Sequence, residues 1–238
     1  MNVCESRSTT LIERFLMAYI DFMSPLHKAT TRDYLARVND PDYPKAEAAK
    51  LAKQWGYDYW DGDRRINYGG YKYIPGRWAP VAKMMIDHYQ LKPGDKVLDV
   101  GCGKGFQLTE LALALPGLNV YGLDISDYAI EHAHPDVKPK ITKGTAAHIP
   151  YADKQFELVF SINTLHNLSN RELNAALLEL ERVGKNKYLC VESYRNENEK
   201  ANLLYWQVTC EQFNTPDDWS WWFHTTNYTG DYSFIYFE

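Results

Sequence analysis

Apolar residues run almost unbroken through Val97–Val100, Phe156–Ser161 and Tyr188–Val191. Short runs of that kind mark strands covered on both faces, as in a parallel sheet. Asn119–Leu123 and Pro139–Lys143 read as two further strands, and Ser233–Phe237 as a last one. Between them the period lengthens to that of a helix. Leu108, Leu111, Ala112 and Leu115 form one stripe, and Ser126 caps a helix that runs to about His134 before Pro135. Asn170 caps another, whose Leu173, Leu177, Leu178 and Leu180 face inward. Strands alternating with helices predict an α/β fold with a doubly wound, mostly parallel sheet.

The flanks follow other rules. Ile12, Phe15, Leu16, Tyr19 and Met23 recur at helical spacing until Ser24-Pro25, predicting an amphipathic helix that packs on its own core, with a cap over a ligand or a homodimer face as the competing readings. Lys45–Trp55 is a second helix closed by Gly56, and Ala79-Pro80 opens a third that runs to Tyr89. Late in the chain, Asn196–Lys200 reads as a solvated turn, and Thr215-Pro216-Asp217-Asp218 starts a helix. Leu203–Cys210 fits a strand or a helix equally well.

Tyr57–Trp78 has neither period, yet it is crowded with tyrosine, tryptophan, glycine and charge. A disordered linker does not carry that aromatic load, so the segment predicts a lid, with an ordered structural loop as the competing reading. Residues 1–90 are thus expected to form N-terminal helices and an aromatic-rich lid, capping a core at 91–238.

Composition narrows the function. The 238 residues carry a formal net charge of −5, which argues against a nucleic-acid partner held through a broad basic face. Cys4, Cys102, Cys190 and Cys210 are widely spaced, suggesting reduced thiols in a cytoplasmic protein. Charges at Glu13, Arg14 and Asp21 interrupt the apolar run near the N-terminus, so no membrane segment is expected there.

The chemistry starts where the first strand ends. Asp99-Val100-Gly101-Cys102-Gly103-Lys104-Gly105 joins strand to helix, exposing backbone N–H groups to a nucleotide-like ligand. A P-loop needs Ser or Thr after Gly-Lys, and Gly105 stands there. A dinucleotide fingerprint wants its third glycine where Phe106 stands.

An acidic residue two before Gly-x-Gly-x-Gly resembles motif I of the class I S-adenosylmethionine-dependent methyltransferases, whose fold is Rossmann-like. The resemblance covers roughly Leu91 to Glu192 and is similar to small-molecule enzymes found with sugar and polysaccharide biosynthesis. It implies that Gly101, Cys102 and Gly103 wrap the methionine part of S-adenosyl-L-methionine, with Asp99 orienting its ammonium. Asp124, followed by Ile125, ends the second strand and is implied as the ribose ligand. Thr145 and Ala146 lie near the adenine, where Thr145 replaces an Asp common in the family. Ser161 leads into Ile162–Asn167, near the transferring methyl. In the lid, Arg77 suits the cofactor carboxylate, with Tyr73 beside it.

Methyl transfer from a sulfonium asks the protein mainly to align the acceptor and exclude water. The candidates for moving a proton are His166, Glu192 and the lid residue Tyr71. Ser161 and Asn163 lack the acidic groups of magnesium-dependent relatives, so no metal is expected. The expected reaction methylates oxygen or nitrogen of a small polar metabolite. A nicotinamide-dependent oxidoreductase and a non-catalytic S-adenosylmethionine-binding protein are the alternatives.

Overall fold

The computed structural model describes residues 17–27, 33–35 and 40–238. A six-stranded sheet organises it: β1 (Lys96–Val100), β2 (Asn119–Asp124), β3 (Ile141–Lys143), β4 (Phe156–Ile162), β5 (Gly184–Glu192) and β6 (Asp231–Ile235). The spatial order is β3-β2-β1-β4-β5-β6, and every neighbouring pair is parallel. The order reverses between β1 and β4, the switch point where doubly wound sheets leave a crevice at their carboxyl ends. The predicted fold class is therefore the observed one.

Alternation along β1 decides which layer each residue joins. Val97 packs with α4 (Ala79–Tyr89) and α5 (Phe106–Ala114), through Val81, Met85, Leu108 and Leu111. Leu98 and Val100 point to the opposite face, packing with Leu173, Leu177 and Leu180 of α7 (Asn170–Val183) and Trp219 and Phe223 of α9 (Pro216–Thr225). With both faces covered, continuous apolar strands are the stable solution.

A third cluster forms the cap. α2 (Lys45–Ala52) and α3 (Tyr57–Trp60) bring Ala48, Ala52, Tyr59 and Trp60 against Ile66, and against Ala129 of α6 (Asp127–Glu131).

Several local expectations change. Ile12, Phe15 and Leu16 lie outside the described residues, and Met17–Met23 is not helical; α1 is the short Ser24–His27 turn where the helix was expected to stop. Ile20 donates its N–H to Tyr232 (2.8 Å) and Ala18 accepts from Tyr232 (3.0 Å), so this stretch lies along the outer edge of β6. Sheet pairing outweighs an amphipathic period here. Ser169, not Asn170, caps α7, forming a reciprocal capping box with Glu172. Asn196 caps α8 (Glu197–Trp206), so the expected solvated turn is the first turn of a helix, and Leu203 belongs to that helix. β6 reaches β5 through α8 and α9 and so arrives parallel, as a crossover requires.

Candidate active site

A cavity of about 650 Å³ opens at the carboxyl ends of β1, β2, β4, β5 and β6, under the cap. Asp99, Gly101, Cys102, Gly103, Asp124, Ile125, Thr145 and Ala146 line one part; His166 and Glu192 line it too, as do Tyr71 and Arg77 of the cap. Ser161 and Tyr73 do not. The Ser161 hydroxyl is buried and donates to the Val100 carbonyl (2.7 Å), tying β4 to β1. The Tyr73 hydroxyl donates to the buried Glu110 of α5 (2.8 Å).

Glycine is required twice in the loop after β1. A Cβ on Gly101, at φ +82°, would overlap the Thr164 side chain, and one on Gly103, at φ +54°, would come within 2.7 Å of the Trp60 ring. The loop is thereby pressed between the strand-four turn and the cap.

Both carboxylates are buried. Asp124 accepts from the backbone N–H of Gly103 (2.7 Å) through one oxygen and of Ser126 (2.8 Å) through the other, with the Ile125 N–H also acting on it, and keeps acceptor capacity for a ribose hydroxyl. Burial raises its pKa against those backbone donors. Asp99 is 5% exposed, and among the described residues no donor reaches its carboxylate. Burial, with Asp124 nearby, pushes it well above the ordinary carboxyl range. A cationic amino group at Asp99 would relieve that cost, and hydroxyls would complete Asp124. These residues fit the ammonium and ribose of S-adenosylmethionine.

The cap is fastened to this loop. The buried Lys104 ammonium meets Asp61 at 2.6 and 2.8 Å and also donates to the Tyr71 carbonyl (2.9 Å). Asp61 accepts further from the Tyr128 hydroxyl (2.9 Å) and the Tyr71 N–H (2.9 Å). Trp60 donates its indole N–H to Ser126 (3.0 Å), and Glu110 accepts from Gly76 N–H (2.7 Å). The Tyr71 ring stacks on Phe106 at 4.9 Å, and burial raises its phenol, so Tyr71 is a wall rather than a ready base. Arg77 is exposed, lines the cavity and makes no ion pair with a described residue.

At the other end, Glu192 terminates β5. Its Oε1 accepts from Gln207 Nε2 at the foot of α8, and its Oε2 lies 3.4 Å from His166 Nε2. His166 is 2% exposed, and burial lowers its pKa to about 3. This candidate for moving a proton thus stays neutral, because its charged form would be desolvated. Asn163 holds a left-handed backbone (φ +56°), and its Oδ1 is buried with no partner among the described residues.

Sequence reading gave no role to Lys104, Asp61, Trp60, Tyr68 or Gln207, while Asn163 fell inside the Ile162–Asn167 stretch it placed near the methyl. Only Lys104 carried a local signal, being inside the glycine loop; the rest meet through tertiary contacts.

Among the described residues no cluster of three or more His, Cys, Asp or Glu side chains could hold a metal, and no helix is long and apolar enough to cross a membrane.

Comparison with known proteins agrees with this geometry. Residues 98–191 match the family described as "Methyltransferase domain". The chain is 32% identical over 128 residues to an uncharacterized methyltransferase of Synechocystis, covering 52% of this chain and 57% of that one. It is 30% identical over 144 residues to 24-methylenesterol C-methyltransferase 2 of Arabidopsis thaliana, covering 57% of this chain and 36% of that one. These matches span less than two thirds of either relative. The crystal structure of YcgJ from Bacillus subtilis superposes with a TM-score of 0.51 at 19% identity, over 61% of this chain and 66% of that one, which supports the fold alone. Strand order, glycine loop and paired carboxylates agree with the family match, so residues 98–191 carry a methyltransferase domain on a Rossmann-like sheet.

Proposed function

We propose that the whole chain transfers a methyl group from S-adenosylmethionine to an oxygen or nitrogen of a small polar metabolite. The observation that carries this reading is the cavity itself, which runs from the donor-less carboxylate of Asp99 to the Gln207-held carboxylate of Glu192. One end suits the amino-acid and ribose parts of the cofactor; the other offers a proton acceptor to a nucleophile.

When bound, the cofactor supplies a methyl group on a sulfonium, an already good leaving group. The protein's residues then have three tasks. Asp99 and Arg77 meet the ammonium and carboxylate of the amino-acid part, and Asp124 meets the ribose hydroxyls. Trp60, Tyr68 and Tyr71 close the cap and keep water out. Glu192 takes the acceptor's proton, while Gln207 holds that carboxylate in place beside the neutral His166.

The cavity's mixture of aromatic rings and amide, carboxylate and guanidinium groups supports a compact polar acceptor. The sterol named for the Arabidopsis relative belongs to that protein. Calorimetry comparing S-adenosylhomocysteine with NAD tests the cofactor half of the reading. Incubation with methyl-labelled cofactor and a fractionated metabolite extract tests the transfer. Binding of NAD alone, or cofactor binding with no labelled product from any fraction, would refute it.

A further inference from the structure

Strand register decides what surrounds Glu192. Side chains alternate along β5, so Glu192 follows Tyr188 and Cys190 onto the face that packs with α4 and α8, while Leu189 and Val191 join the other layer. Glu192 pairs with Ile235 of β6, and Cys190 before it pairs with Ile162 of β4. Neighbouring strands run about 4.8 Å apart, so the buried carboxylate has Ile235 at its side and Ile162 diagonally behind it. Those two isoleucines line the cavity together with Met23, Leu26, Trp206 and Phe237, and all six pack in one apolar cluster. Met23 and Leu26 come from the stretch that leads into α1, Trp206 ends α8, and Phe237 follows β6. The acceptor half of the site thus has a continuous apolar wall with a single carboxylate set into its edge.

Thr209, Asn167 and Gln207 also line the cavity, and each is engaged within the protein. Thr209 donates to Asn167 Oδ1 (2.8 Å), Asn167 Nδ2 donates to the Thr164 carbonyl (3.1 Å), and Gln207 Nε2 donates to Glu192. Arg64 lies over the Trp206 ring at 5.2 Å. Glu192 and the Asn163 carboxamide, whose Oδ1 has no partner among the described residues, remain for the polar edge of an acceptor. A hydroxyl placed on the wall itself would give up its water for no partner. A hydrocarbon surface gains there instead.

Resting on the reading above, we propose that the methyl acceptor is amphipathic: the atom to be methylated lies on a polar edge at Glu192 and Asn163, and a hydrocarbon ring or short chain beside that atom covers the wall. Its polarity is confined to one edge. Sugars and other polyols, polar on every side, do not meet this geometry.

The test uses the full chain, ¹³C-methyl S-adenosylmethionine and the fractionated extract, with the labelled product identified by mass spectrometry and NMR. The expected product carries a hydrocarbon ring or chain at or next to the methylated atom. Leu26→Asn, on the half-buried turn α1, puts an amide of similar size on the wall, and Ile235→Ala removes hydrocarbon beside Glu192. Each should raise the KM of that acceptor about tenfold and leave the Kd for S-adenosylhomocysteine at the parent's value, which also reports that the variant is folded. A labelled polyol or any product without such a hydrocarbon part, or a Leu26→Asn KM within about threefold of the parent's, overturns the proposal while leaving methyl transfer standing. Cofactor binding with no labelled product at all overturns both readings.

Discussion

Trp60 covers the face of Gly103 so closely that no side chain larger than hydrogen fits between the cap and the cofactor loop. Gly103→Ala adds a Cβ within 2.7 Å of that ring at a backbone φ of +54°. Overpacking and left-handed strain together should cost about 2 to 4 kcal/mol, read as a lower urea midpoint. S-adenosylhomocysteine affinity should fall in parallel.

Asp124→Ala removes the acceptor proposed for the ribose hydroxyls. Hydrogen bonds to a charged group contribute about 1.5 to 3 kcal/mol each, so cofactor affinity should weaken tenfold or more by calorimetry. An unchanged Kd would reduce Asp124 to a cap for the Gly103 and Ser126 N–H groups.

Lys104→Met cuts the fastening between glycine loop and cap and leaves Asp61 facing a low-dielectric wall. Because the Asp61 carboxylate is about one-fifth exposed, the cost should be about 2 kcal/mol, below that of a fully buried pair. Hydrogen exchange should quicken between Asp61 and Tyr71. Exchange equal to the parent's would show that Trp60 and Ile66 hold the cap alone.

Cofactor binding should be coupled to protons. Burial raises Asp99, so it holds a proton to higher pH than an ordinary carboxyl, and a cationic amino group pulls its pKa back down. Affinity should therefore fall as pH drops through that raised range, and calorimetry in buffers of different ionisation enthalpy should report proton release on binding. Asp99→Asn should abolish the release.

His166 has the opposite sign. Its folded pKa of about 3 lies below the ordinary 6.5, so the unfolded chain binds the proton first as pH falls. The stability from its neutral burial is complete above about pH 6.5 and is lost between there and about 3. His166→Gln should flatten that part of the stability profile.

The core could be read from the chain because its signals are local. The apolar run to Val100, the glycines after it and Asp124 at the next strand end are fixed by a few neighbouring residues each. Residues that act through distant partners were opaque. Nothing near Asp61 predicts Lys104, and nothing near His166 announces its burial, because both are properties of packing. α8 was missed for a different reason: of its residues only Glu199 and Leu203 are buried, too few to print a period.

The pairing of Ala18 and Ile20 with Tyr232 also bears on how the molecule is made. A ribosome releases residue 18 more than two hundred residues before its partner, as the separation of 213 between Ala18 and Asp231 records. The first edge of the sheet to be synthesised thus has nothing to pair with until the last strand emerges. Closing so long a loop is slow, and an edge strand left bare in the meantime invites pairing with other chains. The pairing of residues 18–20 with β6 should therefore be a late event in folding, and loss of β6 would release them from the sheet.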